Sequence, residues 1–273
     1  PARKRARRPG FSFLLWIWYI AEPNCPYLRI KSTAMAIDLH VHSTCSDGRL
    51  TPKELVLRAA KLKLKTIAVS DHDSCVGALK AMRYGKRYGV QIVPAVEVSA
   101  LYKGKVIHLL GYFINPKDLA FQKKLDELRR DRIGRAVKIL ERVNVLAKKR
   151  GRQAVNPKEF LKWVGNKEMI MRGDIAEFLL RKGFGKSHND VFLDWLEETN
   201  VPVRGLPVSR AISLIHQAGG VAVLAHPNSP SLGLGQLVSK LKDQQAVIAR
   251  FVQYGLDGIE VQTPKTEKDA VPY

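Results

Sequence analysis

Cysteine is scarce in this chain of 273 residues: Cys25, Cys45 and Cys75 are its only three. They make no C-x-x-C pair and no even set, so a disulfide framework is excluded and a reducing, cytoplasmic setting is favoured. Membrane-length apolar runs are missing as well. The run FSFLLWIWYIA near the N-terminus has 11 residues, too few to span a bilayer. No internal repeat or low-complexity tract occurs, and a hydrophobic content of 45% excludes a disordered or collagen-like chain and fits a globular one. Acidic residues are the last shortage, 25 against 46 Lys and Arg, which leaves a formal charge of +21. The excess is uneven. Residues 1–34 carry seven basic side chains against Glu22 alone, and residues 116–200 carry 20 basic and 13 acidic ones. Such a field attracts polyanions and speeds their encounter, but it specifies no chemistry.

The basic PARKRARR followed by the apolar run has the outline of a secretory signal, without a clean small-x-small cleavage site. Met35 stands directly before the first convincing strand. Residues 1–34 are therefore expected to be an N-terminal extension, non-native or signal-like.

From Ile37 onward, apolar strand-like runs alternate with helical periodicity. Strands are expected at 36–42, 66–70, 91–99, 105–114, 221–225 and 258–262, and helices near 52–63, 76–88, 207–218 and 236–254. Thr51-Pro52-Lys53-Glu54 supplies an N-cap, a proline at the first helical position and a glutamate at the third. Gly219-Gly220 ends the helix before VAVLAHP. Strand and helix in repeated alternation predict an α/β fold with a mostly parallel sheet, open or closed into a barrel. The segment 116–200 interrupts it and reads as helical throughout, with Leu125, Leu128, Ile133, Val137, Leu140, Val143 and Ala147 as the apolar face of one long helix.

Residues that are costly to bury fall at the strand ends. His40 and His42 close the first strand, where alternation places them on one face with Ile37, Leu39 and Val41 in the wall, and Asp47 lies in the turn beyond. Asp71-His72-Asp73 closes the second strand, Glu97 lies near the end of the third, His108 lies within the fourth, and His226 follows VAVLA. In βα architectures the C-terminal ends of parallel strands share one rim, so these groups are expected to converge. Clustered imidazoles and carboxylates require a counter-charge, and a divalent metal with N and O ligands supplies it. Hydrolysis at a metal-activated water is the chemistry such a set suits. His188 and His216 stand outside the pattern.

The segments DLHVHSTCSDG, VSDHDS, PAVEVS, HLLGYFI, GGVAVLAHP and GLDGIEV resemble the PHP (polymerase and histidinol phosphatase) superfamily over about residues 35–264. Within it, the chain is most similar to the TrpH-like phosphoesterases, which act on 3′,5′-nucleoside bisphosphates and short oligoribonucleotides. That branch has a helical insertion before AHP, and Arg-Pro-His-Ile-Ala where this chain has RGDIA. The resemblance implies a distorted (β/α)7-type barrel made of residues 35–115 and 201–273, with 116–200 as the insertion. It implies two or three divalent ions, manganese before iron or zinc, held by His40, His42, Asp47, His72, Glu97, His108 and His226. A metal-activated hydroxide would attack phosphorus, with no further catalytic side chain. Arg172 matches an arginine that binds substrate phosphate, and Asp174 replaces a histidine of that motif, so an acid there would repel phosphate unless it pairs with Arg172 or a neighbouring base.

Two further ligands of the family come from a C-terminal Ser-Asp-x-His motif. This sequence reaches Tyr273 without it, so a C-terminally truncated barrel with one under-coordinated metal position is expected. Arg129, Arg130, Arg132 and Arg135 lie on the long helix, where a cationic wall would steer phosphorylated substrates; only Arg132 and Arg135 are spaced to share one side, and the remaining charges are expected to be solvated. Cys45 and Cys75 would be small fillers, and Glu260 is a family-like strand residue of either a ligand-shell or a structural role. The partner implied is a phosphorylated small molecule or short oligonucleotide, with no stable nucleic-acid partner and no membrane. The alternatives are a histidinol-phosphatase-like or polymerase-associated module, or a degenerate fold that binds nucleic acid without catalysis.

Overall fold

The computed structural model describes residues 36–260 apart from 166, 230 and 231. The N-terminal extension and the chain end, where the expected truncation falls, lie outside the described residues. The first half alternates as expected: β1 (Ile37–Val41), α1 (Pro52–Lys61), β2 (Thr66–Val69), α2 (Val76–Tyr88), β3 (Gln91–Tyr102) and β4 (Lys105–Tyr112). The insertion follows as α3 (Leu119–Lys149), α4 (Pro157–Val164), α5 (Arg172–Arg181) and α6 (His188–Val191), which continues as a π-helical turn over Phe192–Leu196. The chain then returns through β5 (Leu206–Pro207), α7 (Val208–Gln217), β6 (Val221–Leu224), α8 (Leu241–Gln253) and β7 (Gly258–Ile259). The strand β5 is too short to leave a periodic signal in the sequence. No helix among the described residues is long and apolar enough to cross a membrane.

The sheet order is β1-β2-β3-β4-β6-β7, with β5 on β3. Three of the neighbouring pairs in this order are parallel, but β4 runs antiparallel to both β3 and β6. The cause is local. Lys103 and Gly104, the two residues between β3 and β4, both have positive φ (48° and 74°), the geometry of a tight hairpin, which can join only antiparallel strands. The sheet curls strongly. Glu260, directly after β7 at one end of the order, lies 3.0 Å from His40 on β1 at the other.

Alternation along the strands separates two faces. Ala68, Val93, Ala95, Leu110, Tyr112, Val221 and Val223 pack together on the concave side. Val96, Val98, Ala100, Ala222 and Leu224 face the other way, against Ile212 and Ile215 of α7 and Val247 and Phe251 of α8. Strand β1 departs from this rule. Its pairing slips by one residue between Asp38↔Ile67 and Val41↔Val69, so Leu39 joins the concave cluster while Val41 packs with the α1 and α2 residues outside. The expected common wall of Ile37, Leu39 and Val41 is therefore corrected: a bulge inverts the parity of everything after it.

The insertion has a core of its own, built from Ile139, Leu140 and Val143 of α3 with Phe160, Phe178, Leu179, Phe184 and Trp195. Earlier on the same helix, Phe121, Leu125 and Leu128 belong to the sheet's core. Between the two sets, at the position that continues the stripe of three- and four-residue steps, sits a buried Arg132.

Candidate metal centre

The site is assembled by three short segments that pin one another. After β1, the turn Ser43–Gly48 folds back on itself, with Ser46 N and Gly48 N both donating to Ser43 O at 3.0 Å. A fully buried Asp71 holds this turn, accepting from Ser43 N (2.7 Å), Ser43 Oγ (2.6 Å) and Ser46 Oγ (2.7 Å). Two glycines are required by close approach: a Cβ on Gly77 would lie 1.8 Å from Asp71 Oδ2, and one on Gly48 would lie 2.1 Å from His42 O. Beyond β2, residues 71–73 continue alongside β3, with Glu97 N donating to Asp71 O and Asp73 N to Glu97 O. His72 is thereby set directly opposite Glu97.

Glu97 is the hub. Its carboxylate is 1% exposed, and it lies within hydrogen-bonding or ion-pairing range of five imidazoles. Oε2 is 3.3 Å from His40 Nε2, 3.2 Å from His42 Nε2 and 3.2 Å from His72 Nδ1. Oε1 is 2.9 Å from both His108 Nδ1 and His226 Nε2. Asp47 flanks the cluster, 3.4 Å from His42 Nδ1 and 3.5 Å from His72 Nε2. All seven residues expected from the sequence are thus brought together. His108 arrives by a different route from the one expected: β4 is antiparallel, so it reaches the rim with its middle, where His108 faces Ser99 across the ladder. Of the remaining histidines, His188 pairs with Glu177 and His216 with Asp257.

Protons are distributed unevenly over this cluster. Burial disfavours a charge on His40, yet its hydrogen bonds to Glu260 and Glu97 outweigh burial and raise it to about 10. Burial also acts against a charged His72, and Glu97 with Asp47 again outweighs it and raises its pKa. For His108 burial prevails and the pKa falls, with His72 and His226 adding to the effect. Glu97 would be raised by burial, but His72 and His108 hold it well below the ordinary carboxylate range. The cluster therefore draws positive charge into a buried space.

Divalent ions fit the same requirement. The groups His40/His42/Glu97, His42/Asp47/His72 and His72/Glu97/His108 each bring three ligand atoms within 4.8 Å of one another. His72 Nδ1 and His226 Nδ1 are buried without a hydrogen-bond partner. For His72 the 3.2 Å approach to Glu97 is close in distance but misaligned as a hydrogen bond. Imidazole nitrogen with carboxylate oxygen is a donor set for zinc, manganese or iron rather than for calcium. Cys45 and Cys75 belong to none of these groups. Both are buried, and burial pushes the Cys75 thiol up to about 12, in keeping with their expected part as fillers.

Behind the rim lies a buried ion pair that sequence reading missed. Arg132 of α3 donates through Nη2 (2.6 Å) and Nε (3.1 Å) to Asp73 Oδ2, and through Nη2 to Ser99 Oγ (2.6 Å). Asp73 Oδ1 also accepts from Ser99 N at 2.7 Å. Burial would raise the Asp73 carboxyl, but the Arg132 guanidinium lowers it. Arg132 is thus a tie between insertion and rim and not part of a solvated steering wall. Its neighbours differ: Arg135 binds Val201 O and Asn200, and Arg129 meets Glu168 at 3.5 Å.

Arg172 and Asp174 open α5. Arg172 donates to Leu196 O at 2.9 Å, lies 5.1 Å from the Phe192 ring centroid, and keeps a buried Nε with no partner. Asp174 is occupied otherwise, accepting from Met171 N at the helix start (2.7 Å) and from Lys167 Nζ (2.6 Å). The neighbouring base foreseen as a condition is Lys167.

Residues 38–154 match the model of the PHP domain. The chain is 31% identical over 236 residues to the 5′-3′ exoribonuclease Rnm of Escherichia coli, covering 84% of this chain and 75% of that one. It is 32% identical over 231 residues to the 3′,5′-nucleoside bisphosphate phosphatase of Chromobacterium violaceum, covering 82% and 76%. Among solved structures, a protein from Bifidobacterium adolescentis assigned as a metal-dependent phosphoesterase superposes with a TM-score of 0.70 at 25% identity, over 83% of this chain and 77% of that one. A Chromobacterium violaceum protein described as an amidohydrolase, crystallised with sulfate and no metal, superposes with a TM-score of 0.68 at 30% identity, over 82% and 75%.

Proposed function

The chain belongs to the PHP domain family and is a phosphoesterase of that family, and from that premise we propose that it hydrolyses phosphate esters of nucleotides, of the 3′,5′-nucleoside bisphosphate or short oligoribonucleotide type. One observation carries the reading: a single buried carboxylate, Glu97, within 3.3 Å of five imidazoles. In this reading two or three divalent ions, manganese foremost, are held by His40, His42, Asp47, His72, Glu97, His108 and His226. When bound, such ions lower the pKa of water and neutralise phosphoryl oxygens.

The rest falls to this chain's own residues. Glu97 and the rim histidines fix the ligand geometry. Arg172 orients the substrate phosphate, for which its fork is shaped. Its unpartnered Nε supports that assignment. The pairing of Asp174 with Lys167 removes the repulsion an acid would otherwise exert there.

A panel of esters tests the substrate class. The manganese-loaded protein is assayed against adenosine 3′,5′-bisphosphate, a short 5′-phosphorylated oligoribonucleotide and histidinol phosphate. The highest kcat/KM is expected for one of the first two. A preference for histidinol phosphate would overturn the substrate assignment, and metal-loaded protein with no turnover of any of them would favour a binding protein without catalysis.

A further inference from the structure

We propose that Glu260 is a positioning residue of this centre, setting the ring of His40 and anchoring His226 across the seam where the curled sheet brings its two ends together. The proposal rests on the metal-centre reading of the cluster. Glu260 extends the β6–β7 ladder, its N–H donating to Leu224 O at 2.9 Å, and it is 2% exposed. Both carboxylate oxygens are committed. Oε1 lies 3.0 Å from His40 Nδ1, and Oε2 accepts from His226 N at 2.5 Å.

Three consequences follow from elementary chemistry. A carboxylate accepts here, so a His40 ring that is neutral because it ligates an ion would carry its one proton on Nδ1 and offer the lone pair of Nε2. That Nε2 is the atom facing Glu97 in the group His40/His42/Glu97. Second, Glu260 belongs to none of the groups able to hold an ion among the described residues. Asp47 also touches two imidazoles, yet it forms such a group with His42 and His72 and is 44% exposed. A carboxylate that orients a ligand from behind is the role left to Glu260. Third, His226 has a φ of 27°, an unfavourable backbone for a residue with a side chain. The bond from its N–H to Glu260 holds it there. Strands β1 and β7 share no ladder among the described residues, so the Glu260 side chain links His40 to His226 across that seam.

Glutamine is the discriminating replacement. A carboxamide offers one acceptor and one donor group where Glu260 offers two acceptors. In Glu260→Gln, either His40 loses the partner that selects its tautomer or the His226 N–H faces an amide N–H. The chelator-stripped full chain is titrated with zinc by calorimetry and its bound ions counted by elemental analysis, for wild type, Glu260→Gln and Glu97→Gln. The expected result is unchanged stoichiometry at saturation for Glu260→Gln with affinity weakened about 10- to 100-fold, while Glu97→Gln loses bound ions. Unchanged affinity in Glu260→Gln, with wild type binding normally, overturns the positioning role and leaves the metal centre standing. Loss of an ion from Glu260→Gln at saturation overturns it by making Glu260 a ligand. Wild type that binds no ion overturns the metal reading itself and the proposal with it. Nitrogen-15 spectra of zinc-loaded wild type decide the point even where a variant does not fold: a protonated His40 Nδ1 is expected, and a protonated Nε2 contradicts the proposal.

Discussion

The rim of the sheet and the helical insertion solve the burial of charge in opposite ways. At the rim, five histidines converge on one carboxylate, and the surrounding loop is sewn to Asp71 by three hydrogen bonds. The insertion instead buries apolar side chains in a separate core and leaves its basic groups near the surface, stacked on aromatics, as Arg150 is on Trp195 at 4.7 Å. The rim concentrates ionisable groups around one buried carboxylate, whereas the insertion packs an apolar core of its own. They meet at Arg132 and Asp73, where a helix that belongs to both cores delivers one guanidinium to the residue beside His72.

The largest effect expected from breaking this contrast is at the hub. Glu97→Gln should lower phosphoesterase turnover by at least about 10⁴-fold, roughly 5.5 kcal/mol of barrier, because five imidazoles lose their common partner. Steady-state assays with metal counting would show it. At the junction, Arg132→Met leaves the Asp73 charge buried and unpaired and should cost about 3–5 kcal/mol in denaturant unfolding. The double variant Arg132→Met/Asp73→Asn should recover most of that loss, since the neutral pair leaves no buried charge and the Asn oxygen can still accept from Ser99 N.

Within the insertion, Leu140→Ala should destabilise by about 2–5 kcal/mol while leaving the number of bound ions unchanged, which separates the two regions directly. Gly77→Ala pushes on Asp71 Oδ2 and should cost about 1–3 kcal/mol, with a loss of metal affinity that Leu140→Ala does not show. At the small end, Arg150→Ala, which removes an exposed arginine stacked on the buried Trp195, should change stability by no more than about 1 kcal/mol.

The sequence made the rim legible because its signals are chemical. An imidazole or carboxylate at the end of an apolar strand is costly unless it has a partner, so His40, His42, Asp47, His72, Glu97, His108 and His226 announce one another. Their geometry was less legible. The direction of β4 turns on two positive φ angles at Lys103 and Gly104, and the parity of β1 on a one-residue slip, and neither disturbs the pattern of apolar residues. Arg132 was hidden for a related reason. The stripe read as Leu128, Ile133 and Val137 runs instead through Leu128, Arg132 and Ala136, and an arginine at a stripe position looks like an interruption until its acid is known. Asp71 and Asp73 flank a predicted site residue and could have been suspected from that position alone. Glu260 was visible in GIEV, but its role depends on a curl that joins residues 220 apart in sequence.

Stripping divalent ions from the purified protein and restoring manganese, with bound ions and hydrolysis of adenosine 3′,5′-bisphosphate followed in the same sample, tests most directly whether the Glu97 cluster is the seat of catalysis. Turnover should vanish with the ions and return with two or three manganese ions per chain. Turnover that survives their complete removal would contradict it.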